Sequence, residues 1–207
     1  IGTGVGWYIA KFFSKKNYRV FGTFNKSRPA KLKIDKKIKI DLSNPILKKF
    51  NFDYLVHCAS KVPKDGQTSK NYNINKRIIK NLINFAKKAN CKKIIFLSAV
   101  SVYGKPQDKF INERTKVNHK KIYSKSKLYA EKHLIDFSKK ENVTTVILRS
   151  PGILGNKISN NFKNFVENLH NIKNDFNFIQ KIIFWSLIST DFHFHYSNIR
   201  IFFYYFF

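Results

Sequence analysis

The stretch GTGVGWYIAKFFSKKNYRVFGTF, Gly2 to Phe24, decides the fold. Glycines at positions 2, 4 and 6 open it, apolar residues at helical spacing follow from Gly6 to Ser14, and a β-branched and aromatic run, Tyr18 to Phe24, closes it. A turn without side chains ahead of a helix lets backbone N–H groups and the helix N-terminus approach a pyrophosphate. Gly2, Gly4, Val5 and Gly6 are therefore candidate dinucleotide-binding residues. The spacing is GxGxG rather than GxGxxG, so on these residues alone an ordinary glycine turn is an equal alternative.

Working outward, short apolar runs alternate with longer helical patterns. Strands are expected at Tyr18–Phe24, Lys37–Leu42, Asp53–Cys58, Lys92–Ser98 and Val143–Arg149, and helices at Gly6–Ser14, Asn71–Lys88 and Tyr123–Lys140. This order predicts an α/β fold, a Rossmann-like doubly wound parallel sheet. A glycine turn of this kind follows a strand, and none precedes Ile1. The first strand is expected to be missing, which would leave its neighbours in the middle of the sheet without a hydrogen-bonding partner. Residue 1 is Ile and the chain holds no methionine, so its beginning is expected to lie upstream. After about residue 165 the texture changes to an aromatic-rich segment without Gly or Pro, to which no element is assigned. The expected division is a partial dinucleotide-binding domain at 1–157 and, at 158–207, a remnant of a substrate domain or an aberrant tail.

With 207 residues, 43% of them apolar, the chain has material for a real core. Lys and Arg number 40 against 12 Asp and Glu, a formal charge of +28. Only six of the 40 are arginines, and the lysines are scattered among Asn, Ile and Phe, which share A/T-rich codons. Solvated faces account for this better than a nucleic-acid surface, so no nucleic-acid partner is expected. Cys58 and Cys91 make no disulfide framework and have no metal-ligand spacing, so no metal is expected and a reducing cytoplasm fits. No run of 18 uncharged apolar residues suggests a membrane span.

Four further segments carry chemistry. DYLVHCAS (Asp53–Ser60) and FLSAVSVYG (Phe96–Gly104) end strands in small residues, YSKSK places Tyr123 and Lys127 four apart, and LRSPGILG spans Leu148 to Gly155. A Tyr and a Lys at i and i+4 share a helix face, where the ammonium can stabilise a phenolate and make Tyr123 a general acid or base. A chance YxxxK on a lysine-rich helix is the alternative, and the order of the segments decides against it.

Together these segments resemble the NAD(P)-dependent epimerase/dehydratase family, the extended branch of the short-chain dehydrogenase/reductase superfamily, over about Ile1 to Phe165. GTGVG is similar to the end of the family's glycine motif, HCAS to H-x-A-(A/S), SAVSVYG to S-S-x-x-V-Y-G, YSKSK to Y-x-x-S-K and RSPGILG to R-x-P-G-x-x-G, while Asn75 falls at a structural asparagine. The resemblance implies an NAD(P)-dependent oxidoreductase or epimerase acting on a hydroxyl or keto group of a nucleotide-activated sugar, and a homodimer. Tyr123 would exchange the proton, and Lys127 would hold the cofactor ribose. Cys58, Ala59, Ser60 and Pro151 would line the cofactor site, and Asp41 and Leu42 would contact adenine, with a capping role as the alternative for Asp41. His57 is expected to be structural. After the strand Tyr18–Phe24 stand Asn25, Lys26, Ser27 and Arg28 where NAD enzymes carry an acidic residue, which favours NADP over NAD.

One departure bears on activity. The family's substrate-polarising hydroxyl lies five positions before the glycine of V-Y-G, and here that residue is Ala99. Ser98, or failing it Ser101, is expected to replace it. The dehydratases' Asp-Glu pair is Val100-Ser101 here, which argues against dehydration and leaves epimerisation or reduction. A dinucleotide-binding protein without catalysis, or a gene remnant with no function of its own, are the rival expectations.

Overall fold

The computed structural model describes residues 4–26, 31–62, 69–105, 111–151, 153 and 200–204. In chain order the elements are α1 (Val5–Lys15), β1 (Arg19–Phe24), β2 (Lys36–Lys39), β3 (Tyr54–His57), α2 (Ser69–Lys88), β4 (Lys93–Ala99), α3 (Ile122–Glu141), β5 (Thr144–Ser150) and β6 (Arg200–Tyr204), with a 3-10 turn at Val100–Tyr103 after β4. The expected helices and strands are all present, shifted by a residue or two at their ends, apart from the second expected strand, which stops at Lys39 rather than Leu42.

The strands form one sheet in the order β2-β1-β6-β3-β4-β5, every pair parallel. Among the described residues α2 and α3 pack on one face, and α1 packs on the other over β1 and β6. Period-two alternation sends Leu55, Ile94 and Phe96 to the face under α2 and α3, and Val56 and Ile95 to the face under α1. Ile78, Ile79, Leu82 and Phe85 of α2 and Leu134 of α3 fill the first core, and Val5, Ile9, Ala10 and Phe13 of α1 fill the second.

The sheet corrects one expectation. The slot between β1 and β3, expected to lack a strand, holds β6: Arg19 pairs with Arg200 and Tyr54 with Ile201. Two facing strand edges present rows of N–H and C=O groups that need partners, and the extended backbone of Arg200–Tyr204 supplies them to both. Of the residues after about 165, to which the sequence assigns no element, this strand is the described part, and it lies in the same sheet as β1–β5.

Among the described residues an asparagine stands one or two positions past the end of each α-helix. Asn17, Asn90 and Asn142 take φ of 61°, 51° and 53° just past α1, α2 and α3, the left-handed turn that reverses the chain into the next strand. Asn142→Val forces a branched side chain into that conformation and is expected to cost about 1–2 kcal/mol, whereas Asn142→Gly is expected to cost nothing; urea unfolding of the two variants checks this.

Candidate active site

The carboxyl ends of β3 and β4, the start of α1 and the first turns of α3 converge, which is where ligands bind in sheets of this type. Tyr123 and Lys127 lie one turn apart on α3, as their spacing predicts. Lys127 is 4% exposed, and its Nζ donates to the Leu97 carbonyl at 2.7 Å, 4.9 Å from the centre of the Phe96 ring and 5.6 Å from that of Tyr123. A buried ammonium is tolerated only with such partners. Tyr123 is half-buried.

The charge of Lys127 marks its neighbours. His57, the last residue of β3, is buried and stacks on Phe96, and burial, with the nearby Lys127 ammonium, pushes its pKa down to about 3. The ring is a neutral packing group, as the sequence suggests. Burial pushes the Cys58 thiol up to about 12 although Lys127 pulls the other way, so it is a thiol and not a reactive thiolate.

At the glycine turn, Gly4 caps α1 at φ 76°, a conformation suited to glycine, and no side chain caps the helix. The first-turn N–H groups of a helix without a side-chain cap are donors for an anion, so Gly4, Val5 and Gly6 fit a pyrophosphate. Gly4 and Gly6 are buried, as is Val5, whose side chain packs in the core under α1. Gly2, Ser27 and Arg28 lie outside the described residues.

Of the remaining cofactor candidates, Asn25 is half-buried and Lys26 exposed at the end of β1. Ala59 is buried, Ser60 half-buried and Pro151 exposed. Leu42 is 1% exposed and packs in the core, with its carbonyl accepting from Asn81. Asp41 accepts from the Ser43 amide at 2.9 Å and the Ser43 hydroxyl at 2.7 Å, closing a turn rather than capping a helix.

The end of β4 separates the two serines. Ser98 is 4% exposed and donates to the Glu131 carboxylate, so its hydrogen is engaged inside the protein. Arg149 of β5 grips the same carboxylate, its nearest nitrogen 2.7 Å away, and also donates to the Tyr103 hydroxyl at 2.9 Å, which in turn donates to the Asn112 carbonyl. Glu131 and the Tyr103 hydroxyl hold the guanidinium firmly charged. Ser101, in the 3-10 turn, is exposed and accepts from the Ser124 hydroxyl at 3.0 Å.

The sequence alone does not mark Glu131, Arg149, Tyr103 and Ser124 as members of this network. Glu131 is legible in hindsight as a carboxylate one turn after Lys127 on a helix face that must be buried.

Asn75 fastens the loop after β3 to α3. Its amide accepts from the Lys61 N–H at 2.7 Å and donates to the Lys61 carbonyl and the Ser126 hydroxyl, both at 3.1 Å, and Ser126 donates to the Tyr123 carbonyl at 2.7 Å. A cavity of about 630 Å³ lies on the sheet face under α1, lined by Val5, Ile9, Leu97, Val146 and Leu148 among others. Neither Tyr123 nor Lys127 lines it, and it borders the site at Val5, Cys58, Leu97, Glu131, Arg149 and Pro151. Among the described residues no group of three His, Cys, Asp or Glu is placed to hold a metal ion, and no helix is long and apolar enough to cross a membrane.

Two predictions follow from this geometry. Gly104 sits at φ 67°, and a Cβ there would lie 1.7 Å from the Asn118 carbonyl oxygen. Gly104→Ala is expected to displace the segment leading to α3 and to lower stability by about 2 kcal/mol or more, measured by thermal unfolding. Unfolded His57 takes up a proton near pH 6.5, while the folded protein holds it neutral down to about pH 3. Stability is therefore expected to fall on acidification, by up to about 1.4 kcal/mol per pH unit from this group below pH 6.5. The loss between pH 6.5 and 5, before the carboxylates titrate, is expected to vanish in His57→Gln.

A family model described as the NAD dependent epimerase/dehydratase family matches residues 2–190. No curated protein matches the chain by sequence. Among solved structures, a UDP-galactose 4-epimerase superposes with a TM-score of 0.71 at 17% identity, covering 84% of this chain and 62% of that one. The UDP-Glc/GlcNAc 4-epimerase from Campylobacter jejuni gives 0.64 at 25% identity, covering 72% and 50%. The UDP-glucose 4-epimerase from Bifidobacterium longum in complex with NAD+ and UDP gives 0.69 at 21% identity, covering 99% and 75%. The chain thus spans less than two thirds of the length of the first two.

Proposed function

The chain belongs to the NAD dependent epimerase/dehydratase family, and on that premise we propose that it exchanges hydride between a bound nicotinamide dinucleotide and a carbon of a nucleotide-activated sugar, in the manner of a 4-epimerase. The observation that carries the proposal is the buried Lys127 ammonium beside the Tyr123 ring at the carboxyl ends of β3 and β4. The solved structures that share the fold and are named above are UDP-sugar 4-epimerases, one of them holding NAD+ and UDP.

In this reading the dinucleotide, when bound, supplies the hydride acceptor and returns the hydride. Tyr123 takes the proton of the sugar hydroxyl as the carbon loses hydride, and gives it back when the ketone is reduced from its other face. Lys127 stabilises negative charge on the ring oxygen, and its protons beyond the one given to Leu97 are donors for ribose hydroxyls. The start of α1 receives the pyrophosphate. Asn25 and Lys26 stand at the end of β1 with no carboxylate among them, which supports NADP over NAD on chemistry, whereas the Bifidobacterium longum structure holds NAD+.

With UDP-galactose as the probe, Tyr123→Phe is expected to lower hydride exchange by about 10²-fold or more while leaving NADH affinity within about twofold. Equal turnover in the variant contradicts the assignment.

A further inference from the structure

Position 99 carries no hydroxyl, and the two serines expected to replace it sit in different surroundings. Ser98 points into the protein, where Glu131 takes its hydrogen. Glu131 in turn is gripped by Arg149. Turning Ser98 toward a ligand would strip a donor from a buried carboxylate that is 3% exposed as a residue, which is costly. Ser98 is therefore a structural hydroxyl.

Ser101 is placed differently. It is exposed, in the 3-10 turn at the carboxyl end of β4, and its oxygen receives the hydrogen of Ser124 at 3.0 Å. Ser124 is 2% exposed and follows Tyr123 in the first turn of α3, so the Ser101 hydroxyl lies beside the turn that carries the proposed acid and base. A hydroxyl that accepts one hydrogen bond keeps its own hydrogen to donate, and a donor polarised from behind donates more strongly. The bond runs outward, from buried Ser124 to exposed Ser101.

We propose that Ser101, oriented by Ser124, donates the hydrogen bond to the reacting oxygen of the substrate that Ala99 cannot. The inference rests on the hydride-exchange reading above. Ser101 acts on the substrate, and Ser124 is a positioning residue acting through it. A donor that strengthens as negative charge develops on the oxygen raises kcat more than it lowers KM.

The test uses the whole chain with UDP-galactose as substrate probe and NADH fluorescence as an independent measure of cofactor affinity. Ser101→Ala is expected to lower kcat by about 10²-fold, with KM and NADH affinity within about twofold, and Ala99→Ser added to it is expected to recover about tenfold or more. Ser124→Ala is expected to lower kcat by about three- to tenfold in the wild-type background and to have no further effect once Ser101 is Ala, whereas a merely structural role would cost the same in both backgrounds. Ser101→Ala with wild-type kcat, in a chain whose Tyr123→Phe variant is inactive, overturns this inference and leaves the hydride-exchange reading standing. A chain that binds NADH but shows no Tyr123-dependent turnover, even with Ala99→Ser, overturns both.

Discussion

The site depends on a buried positive charge. An ammonium taken out of water is stable only where fixed dipoles replace its hydration, and Lys127 finds one in the Leu97 carbonyl as β4 reaches its end. That bond ties α3 to the end of β4 one turn from Tyr123. The charge also acts nearby: burial first, and the Lys127 charge second, keep His57 neutral, and the Phe96 ring touches both, stacked on His57 and 4.9 Å from the Lys127 Nζ.

Around this charge, polar contacts tie together segments far apart in sequence. Asn75 joins the loop after β3 to α3, and Ser126 extends that link to the Tyr123 backbone. Glu131 joins α3 to Ser98 of β4 and Arg149 of β5, and Tyr103 carries the network to Asn112. Glu131 is buried and Arg149 half-buried, so removing either partner would leave the other charge without its main hydrogen bonds. The apolar cores hold the layers together, and these bonds set the register of the site within them.

Much of the fold was legible in the sequence because its signals are local. The alternation in YLVH and KIIFLSA, the helical spacing in NINKRIIKNL and the i, i+4 pair Tyr123 and Lys127 depend on neighbours in the chain. What was not legible depends on pairing across the sheet. The filling of the central slot by Arg200–Tyr204 is a non-local event, set by two open strand edges and not by any period in that segment. The surroundings of Ser98 and Ser101 were likewise hidden: both are serines near one strand end, and in the fold one is buried against Glu131 while the other is exposed and accepts from Ser124. Asp41 shows the same limit, since DLSNP reads equally as a helix cap or a turn, and the structure makes it a turn.

The central claim is that the start of α1 and the Lys127 neighbourhood together receive a nicotinamide dinucleotide. Trp7, in the first turn of α1, provides a built-in probe among only two tryptophans in the chain. Titrating the protein with NADPH and with NADH, the tighter binder being the one scored, while following tryptophan emission together with nicotinamide emission is the most direct measurement. The account predicts saturable quenching of tryptophan with a matching rise in nicotinamide emission, abolished by Lys127→Met in a variant that still melts cooperatively. Linear, non-saturating quenching, or saturation unchanged in Lys127→Met, would contradict it.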